Sequence, residues 1–240
     1  MPETVILHDF PAGGPAEGWE SFSPFVLEVA RALKLAKVPF EQRPVNMLKL
    51  KELNPLGQLP VLSIDGEKVS DSTRILKRIE SMKPGVFTAG LDARGVAEAW
   101  LWEEFGDACL YPYVLATRWA DDRGWPVPRA RFFGSIPAPI RGLVASRIRK
   151  GVTNNLVERD FLRGGLTACY ERMGRVLDDL EARAPEAGFW LGANVTAADL
   201  GLFAHVHSLR LPLTPFQAQE VAKRAKLSRY LDRVDAATRG

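Results

Sequence analysis

The stretch Asn54-Pro55-Leu56-Gly57-Gln58-Leu59-Pro60-Val61-Leu62 constrains this chain more than any other. Asn54 precedes a proline, which disfavours helical backbone, so a helix arriving from Met47 must stop there. Pro60 has no N–H to give to a strand ladder, so it marks the start of a strand rather than its middle. Val61-Leu62-Ser63-Ile64 reads as that strand, and Asp65-Gly66 is a favoured dipeptide for a tight hairpin into Glu67-Lys68-Val69. A helix stop, a proline-led strand and a hairpin in such close succession suit a sheet with helices laid against it.

The flanking segments agree. Thr4 to His8 carries the β-branched apolar run Val5-Ile6-Leu7 and predicts a buried strand. A loop with Pro11, Gly13, Gly14, Pro15 and Gly18 follows, and then Ser23-Pro24 opens a helix with a capping serine and proline at its first position. Leu27, Ala30, Leu33 and Leu35 keep roughly helical spacing, and the helix is expected to end near Val38-Pro39. Phe40 to Val45 predicts a second strand, Met47 to Leu53 a short helix, and Asp71-Ser72 a cap for a helix to about Met82. The order is βαβαββα, a mixed sheet with helices packed on it.

Strand signals stop at Leu91. Val96 to Trp119 predicts one long aromatic-rich helix, with Pro112 as a possible kink. Residues 120–138 hold Asp121, Asp122, Gly124, Pro126, Pro128 and Pro137 and read as an irregular excursion. Pro139 to about Ala184 reads as one or two helices interrupted around Gly164-Gly165. A break at Pro185 to Ala193 precedes a helix from Thr196, and the last helices run from about Pro215 to Thr238. The turn-formers between Lys83 and Gly90 divide the chain into an α/β unit, residues 1–84, and an all-α unit, residues 91–240.

Composition narrows the function classes. A net charge of +3 over 240 residues makes no electrostatic case for nucleic acid as the main partner. No apolar run approaches the roughly 18 residues that span a bilayer, and no secretory signal is visible at Met-Pro-Glu-Thr. Cys109 and Cys169 are the two cysteines and form no CxxC pair, which favours a reducing compartment, by default the cytoplasm.

Several runs resemble the cytosolic glutathione transferases, most nearly the serine-type tau and the omega classes. They are Ser-Pro-Phe-Val-Leu-Glu-Val-Ala-Arg-Ala-Leu at 23–33, Val-Pro-Phe-Glu at 38–41, the 54–62 stretch, and Asp-Gly-Glu-Lys-Val-Ser-Asp-Ser at 65–72. The resemblance implies an α/β thioredoxin-like N-terminal domain followed by an all-α C-terminal domain. It makes Leu59-Pro60 a cis-proline loop whose Leu59 backbone pairs with a peptide-like ligand, and glutathione the cosubstrate, with no metal. Ser23 then stands beside the glutathione sulfur and donates to a thiolate rather than attacking; Ser21 is the alternative if the long preceding loop shifts the correspondence. Asp71 and Ser72 take the γ-glutamyl end, Ser72 holding its carboxylate at a helix N-terminus and Asp71 facing its ammonium. Gln58 and Lys49 (or Lys51) stand where side chains meet the glycyl carboxylate. Two departures are visible: Asp71 replaces the family's usual glutamate, and Glu28 replaces an arginine common on the first helix. Homodimerisation and a small electrophilic, apolar second substrate are also implied.

Other residues carry structural readings. Thr196 and Asp199 form a capping box, with Val195 and Leu200 as its hydrophobic staple. Trp100, Trp102, Phe105, Tyr111, Tyr113 and Trp119 suit core and interdomain packing, with Tyr111 or Tyr113 able to line an electrophile pocket. His205 and His207, two apart, fall on different helix faces and make a poor metal pair. The basic run Arg129, Arg131, Arg141, Arg147, Arg149, Lys150, Arg159 and Arg163 reads as a solvated helix face or an anion site. Its Arg-Phe-Phe-Gly-Ser-Ile-Pro-Ala-Pro-Ile-Arg segment is similar to bacterial transferase-like proteins allied to metaxins. The leading expectation is therefore a detoxifying glutathione transferase. The alternative is a non-catalytic scaffold of the same fold, and a thiol-disulfide reductase is disfavoured because no cysteine lies near residue 23.

Overall fold

A computed structural model describes residues 3–10, 20–134, 136–211 and 213–240. The Pro- and Gly-rich loop expected from Pro11 to Gly18 lies outside the described residues. Strand β1 (Val5–Asp9) leads to helix α1 (Pro24–Leu35), strand β2 (Glu41–Pro44), a 3-10 turn at Met47–Lys49 and helix α2 (Leu50–Leu53). Strands β3 (Val61–Ile64) and β4 (Glu67–Ser70) form the hairpin, and helix α3 (Ser72–Met82) follows. The sheet order is β2-β1-β3-β4, with β1 parallel to β2 and antiparallel to β3, and β3 antiparallel to β4. This is the thioredoxin-like α/β arrangement, and its local signals act as expected. Asp65 and Gly66 both take positive φ, 48° and 91°, as a tight right-twisting hairpin turn needs. Asp71 caps α3 by accepting from the Arg74 N–H at 3.1 Å. Helix α1 stops at Leu35, earlier than expected, because Lys37 turns left-handed (φ 52°) and the Val38 N–H closes back on the Leu33 carbonyl at 3.0 Å.

The helical part contains α4 (Ala93–Phe105), α5 (Tyr111–Leu115), α6 (Pro126–Phe133), α7 (Ala138–Glu158), α8 (Gly165–Arg183), α9 (Ala197–Arg210), α10 (Pro215–Ala222) and α11 (Ala225–Thr238). Two differences from expectation have local causes. The long helix expected over 96–119 carries wide π-turns at Gly106–Leu110 and Ala116–Ala120. The first ends just before Pro112, whose missing N–H and bulky ring oppose a regular turn. The excursion at 120–138 is partly helical, since Pro126 and Pro128 sit in the first turn of α6, where no N–H is required of them. Arg141 and Arg149 of the basic run are spent on carbonyls at or just past the ends of helical segments. Arg141 donates to the Ile136 and Gly134 carbonyls, and Arg149 to those of Trp119 and Ala120.

One apolar core centres on the sheet and α1, and it also takes in Ala99, Val195, Ala197 and Leu200 of the helical part. A second fills the helical bundle. Helix α9 is the shared element, buried along almost its whole length. Glycines allow its closest approach to α4: a Cβ on Gly201 would lie 2.9 Å from Glu103 Cα. Arg31 of α1 reaches across to α11, with Nη2 2.6 Å from Asp235 Oδ1.

Candidate functional site

The strand register gathers the expected site residues at one end of the sheet. His8 pairs with Val61, and Val61 with Ser70. The C-terminal ends of β1 and β4 and the N-terminal end of β3 therefore lie side by side. Whatever leaves β1, enters β3 or leaves β4 emerges there: the Ser21–Ser23 segment, Leu59-Pro60 and Asp71-Ser72. Parallel β2 ends at the same edge, Asp9 opposite Pro44, and leads toward Lys49.

The segment after β1 is anchored by a residue that sequence reasoning passed over. Asp9 is buried and accepts from the Ser21 hydroxyl at 2.8 Å, the Gln42 amide at 2.7 Å and the Phe10 N–H at 2.6 Å. Burial pushes its carboxyl up, and these donors work against that. Ser21 Oγ in turn accepts from the Ser23 N–H at 3.0 Å. Both capacities of Ser21 are thus used within the loop. Ser23 differs: its Oγ accepts from the Val26 N–H at 3.4 Å as the cap of α1, and its proton has no acceptor among the described residues. It is 7 % exposed, at the positive end of a helix dipole.

From the helical part, Arg118 secures Phe22 between the two serines. Its Nη1 donates to the Phe22 carbonyl at 2.5 Å, its Nη2 to the Ser208 carbonyl at 3.1 Å, and its guanidinium lies 4.7 Å from the centre of the Phe22 ring. Tyr111 meets Phe25 edge-on at 4.5 Å and lies beside His205, whereas Tyr113 is buried in the bundle against Phe161. Of the two tyrosines, Tyr111 is the one on the α1 side.

The Leu59-Pro60 bond is cis. Leu59 is buried, and its N–H and C=O make no hydrogen bond among the described residues. Ser72 is buried at the start of α3, while Asp71, Gln58 and Lys49 are exposed. Asp71 has its capping role and φ of 82°.

Below Ser72 lies a group that no local motif announces. Glu28 of α1, Glu103 of α4 and Asp107 of the following π-turn bring carboxylate oxygens within 4.8 Å of one another. Burial and the neighbouring carboxylates hold all three acids well above the ordinary range. His205 of α9 approaches Asp107 at 3.7 Å and does not pair with His207. Sequence reading marked Glu28 only as a departure from the resembled family and gave no sign of its partners.

Known proteins supply a context for this geometry. The model of the glutathione S-transferase N-terminal domain matches residues 24–124, and that of the glutathione S-transferase C-terminal domain matches residues 159–233. A curated relative, the isoprene-epoxide–glutathione S-transferase of a Rhodococcus species, is 26% identical over 235 residues, covering 92% of this chain and 94% of its own. Among solved structures, a beta-etherase from Sphingobium superposes with a TM-score of 0.65 at 23% identity, covering 98% of this chain and 97% of that one. A glutathione S-transferase III in apo form gives 0.64 at 22% identity, covering 98% and 94%. The structural likenesses bear on fold.

Proposed function

Because the chain belongs to the glutathione transferase family, we propose that it conjugates the thiolate of glutathione to a small apolar electrophile. Residues 1–84 hold the peptide, and residues 91–240 supply the wall against which the electrophile lies, with Tyr111 on that wall. The observation that carries the reading is the contrast between the two serines. Ser21 is committed to Asp9 and to the Ser23 N–H, while Ser23 keeps a proton to give.

A thiol of pKa about 8.5 is only a few percent ionised at neutral pH. Lowering it by about two units takes roughly 2.7 kcal/mol. A hydrogen bond from Ser23 to a charged sulfur is worth about 1.5–3 kcal/mol, and the N-terminus of α1 adds about 0.3–1 kcal/mol. The two together meet the requirement. The unbonded Leu59 N–H and C=O suit the backbone of a peptide. Ser72 at the start of α3 suits the γ-glutamyl carboxylate, with Asp71 toward the ammonium and Gln58 and Lys49 toward the glycyl carboxylate.

The isoprene-epoxide relative makes a small apolar epoxide the first electrophile to assay. The sulfur would bond to an epoxide carbon, the carbon–oxygen bond would break, and the alkoxide would take a proton from water. A homodimer in the cytoplasm completes the reading; Leu56 at 76 % exposure and Leu101 of α4 at 69 % are apolar side chains that a second copy would cover.

Retention on immobilised glutathione followed by epoxide conjugation tests the proposal. Ser23→Ala is expected to lower kcat/KM by about 10- to 100-fold and to raise the pKa of the bound thiol. An unchanged rate removes Ser23 from the mechanism. No retention at millimolar glutathione leaves the scaffold reading.

A further inference from the structure

Beneath Ser72, four side chains from distant parts of the chain turn unsatisfied atoms toward one another. Both carboxylate oxygens of Glu28, Oε2 of Glu103, Oδ1 of Asp107 and Nε2 of His205 are buried without a hydrogen-bond partner. Glu28, Glu103 and His205 are each 0 % exposed. Stripping water from polar atoms without replacing its hydrogen bonds is costly, and bringing three carboxylates together compounds the cost.

The outward-facing atoms of the same residues are held in place. The Ser72 hydroxyl donates to Asp107 Oδ2 at 3.3 Å, and the Thr73 hydroxyl to Glu103 Oε1 at 2.7 Å. His205 Nδ1 lies 2.9 Å from the Gly201 carbonyl, which can only accept, so Nδ1 carries the proton. With the proton on Nδ1, Nε2 of the neutral ring offers a lone pair 3.7 Å from Asp107 Oδ1. An imidazole fixed through Nδ1–H to a carbonyl, and two of the three carboxylates, Glu103 and Asp107, each fixed through one oxygen, resemble the outer shell usual around a bound metal.

We propose that Glu28, Glu103, Asp107 and His205 bind one divalent transition-metal ion, joining α1 of the α/β part to α4 and α9 of the helical part. Mixed carboxylate and imidazole donors suit ions such as Mn²⁺, Fe²⁺ or Zn²⁺ better than Ca²⁺ or Mg²⁺. Metal–ligand bonds of about 2.0–2.2 Å place ligand atoms about 3–4.4 Å apart; the three carboxylates offer oxygens within 4.8 Å of one another, and His205 Nε2 stands 3.7 Å from Asp107. The Asp107 side chain keeps 16 % exposure and gives the ion its way in. The ion would supply a positive charge that no lysine or arginine among the described residues brings into direct contact with the three carboxylates.

The test uses the full chain without glutathione, so its outcome does not depend on the transferase reading. Protein stripped with a chelator is titrated with Mn²⁺, and the free-ion signal is followed by electron paramagnetic resonance. The expected result is one ion per chain, with a rise in Tm on binding. Glu28→Gln is expected to weaken binding at least tenfold. Thr73→Val, which unseats only the outer contact of Glu103, should weaken it about tenfold. Exposed Glu52→Gln, away from the cluster, serves as the control and is expected to bind as the wild type does.

The proposal is overturned if Mn²⁺, Co²⁺ and Zn²⁺ bind no more tightly to the wild type than to folded Glu28→Gln. Should that variant fail to fold, the same comparison with Thr73→Val decides. Loss of glutathione retention in Glu28→Gln without any metal binding also overturns it, assigning the cluster to the γ-glutamyl ammonium instead.

Discussion

Arg118 of the helical part donates to the Phe22 carbonyl at 2.5 Å, so the residue before Ser23 is positioned by a buried cation from another part of the fold. Burial lowers the Arg118 pKa to about 10, which leaves it charged at neutral pH. Its two carbonyl partners and the Phe22 ring take the place of a carboxylate.

Replacing Arg118 with methionine removes its hydrogen bonds to the Phe22 and Ser208 carbonyls, each loss costing about 1–3 kcal/mol. Chemical denaturation should show that loss, and any remaining conjugation should be slower because Ser23 is no longer held. Lysine should not rescue it, since one ammonium cannot copy the planar fork that serves two carbonyls and a ring.

Asp199 is a hub for folding. It accepts from the Trp190 N–H at 2.7 Å, the Thr196 N–H and hydroxyl at 2.8 Å, and the Tyr230 hydroxyl at 2.7 Å. Asp199→Ala leaves these buried donors without an acceptor, and a destabilisation of about 4 kcal/mol or more is expected by urea unfolding. A change within about 0.5 kcal/mol would refute the hub.

Gly201→Ala tests the contact between α4 and α9. The added methyl would lie 2.9 Å from Glu103 Cα and 3.1 Å from its carbonyl oxygen, both backbone atoms that cannot step aside. A loss of about 1–3 kcal/mol is expected. The same change should weaken any ion bound by Glu103 and His205, because it separates their helices.

Asp235 supplies a pH signature. Burial alone would raise its pKa, but hydrogen bonds from Arg239 and Arg31 hold it below its ordinary 3.8. A carboxyl with a lower pKa folded than unfolded stabilises the fold above its unfolded value, and that stability is lost as pH falls through the folded value. Wild-type protein should therefore lose more stability than Asp235→Asn on going from about pH 5 to about pH 3, as read by denaturation at each pH.

Much of the α/β part was legible because its signals act over a few residues. Asp65-Gly66 makes its turn, Pro60 precedes its strand and Asp71 caps its helix wherever the rest of the chain lies. The site was legible in part for the same reason. Ser23 sits at the cap that Ser-Pro predicts, yet its distinction from Ser21 depended on Asp9 and Gln42, residues on two different strands. Helix α6 went unread because its prolines, which usually signal irregular chain, fall in the one turn that tolerates them.

The sequence by itself determined the order of strands and helices, the hairpin, the helix caps and the proline-led strand. Each rests on backbone geometry and hydrogen bonds between near neighbours. Only the tertiary structure decided what Glu28 means. On α1 it is one carboxylate among apolar neighbours in sequence; in the folded chain it meets Glu103 and Asp107, and Asp107 in turn stands beside His205. That meeting is set by how closely Gly106 and Gly201 let α4 and α9 approach, and by the packing of α1 against α9. Such packing depends on the shape of whole surfaces, which no short run of residues encodes.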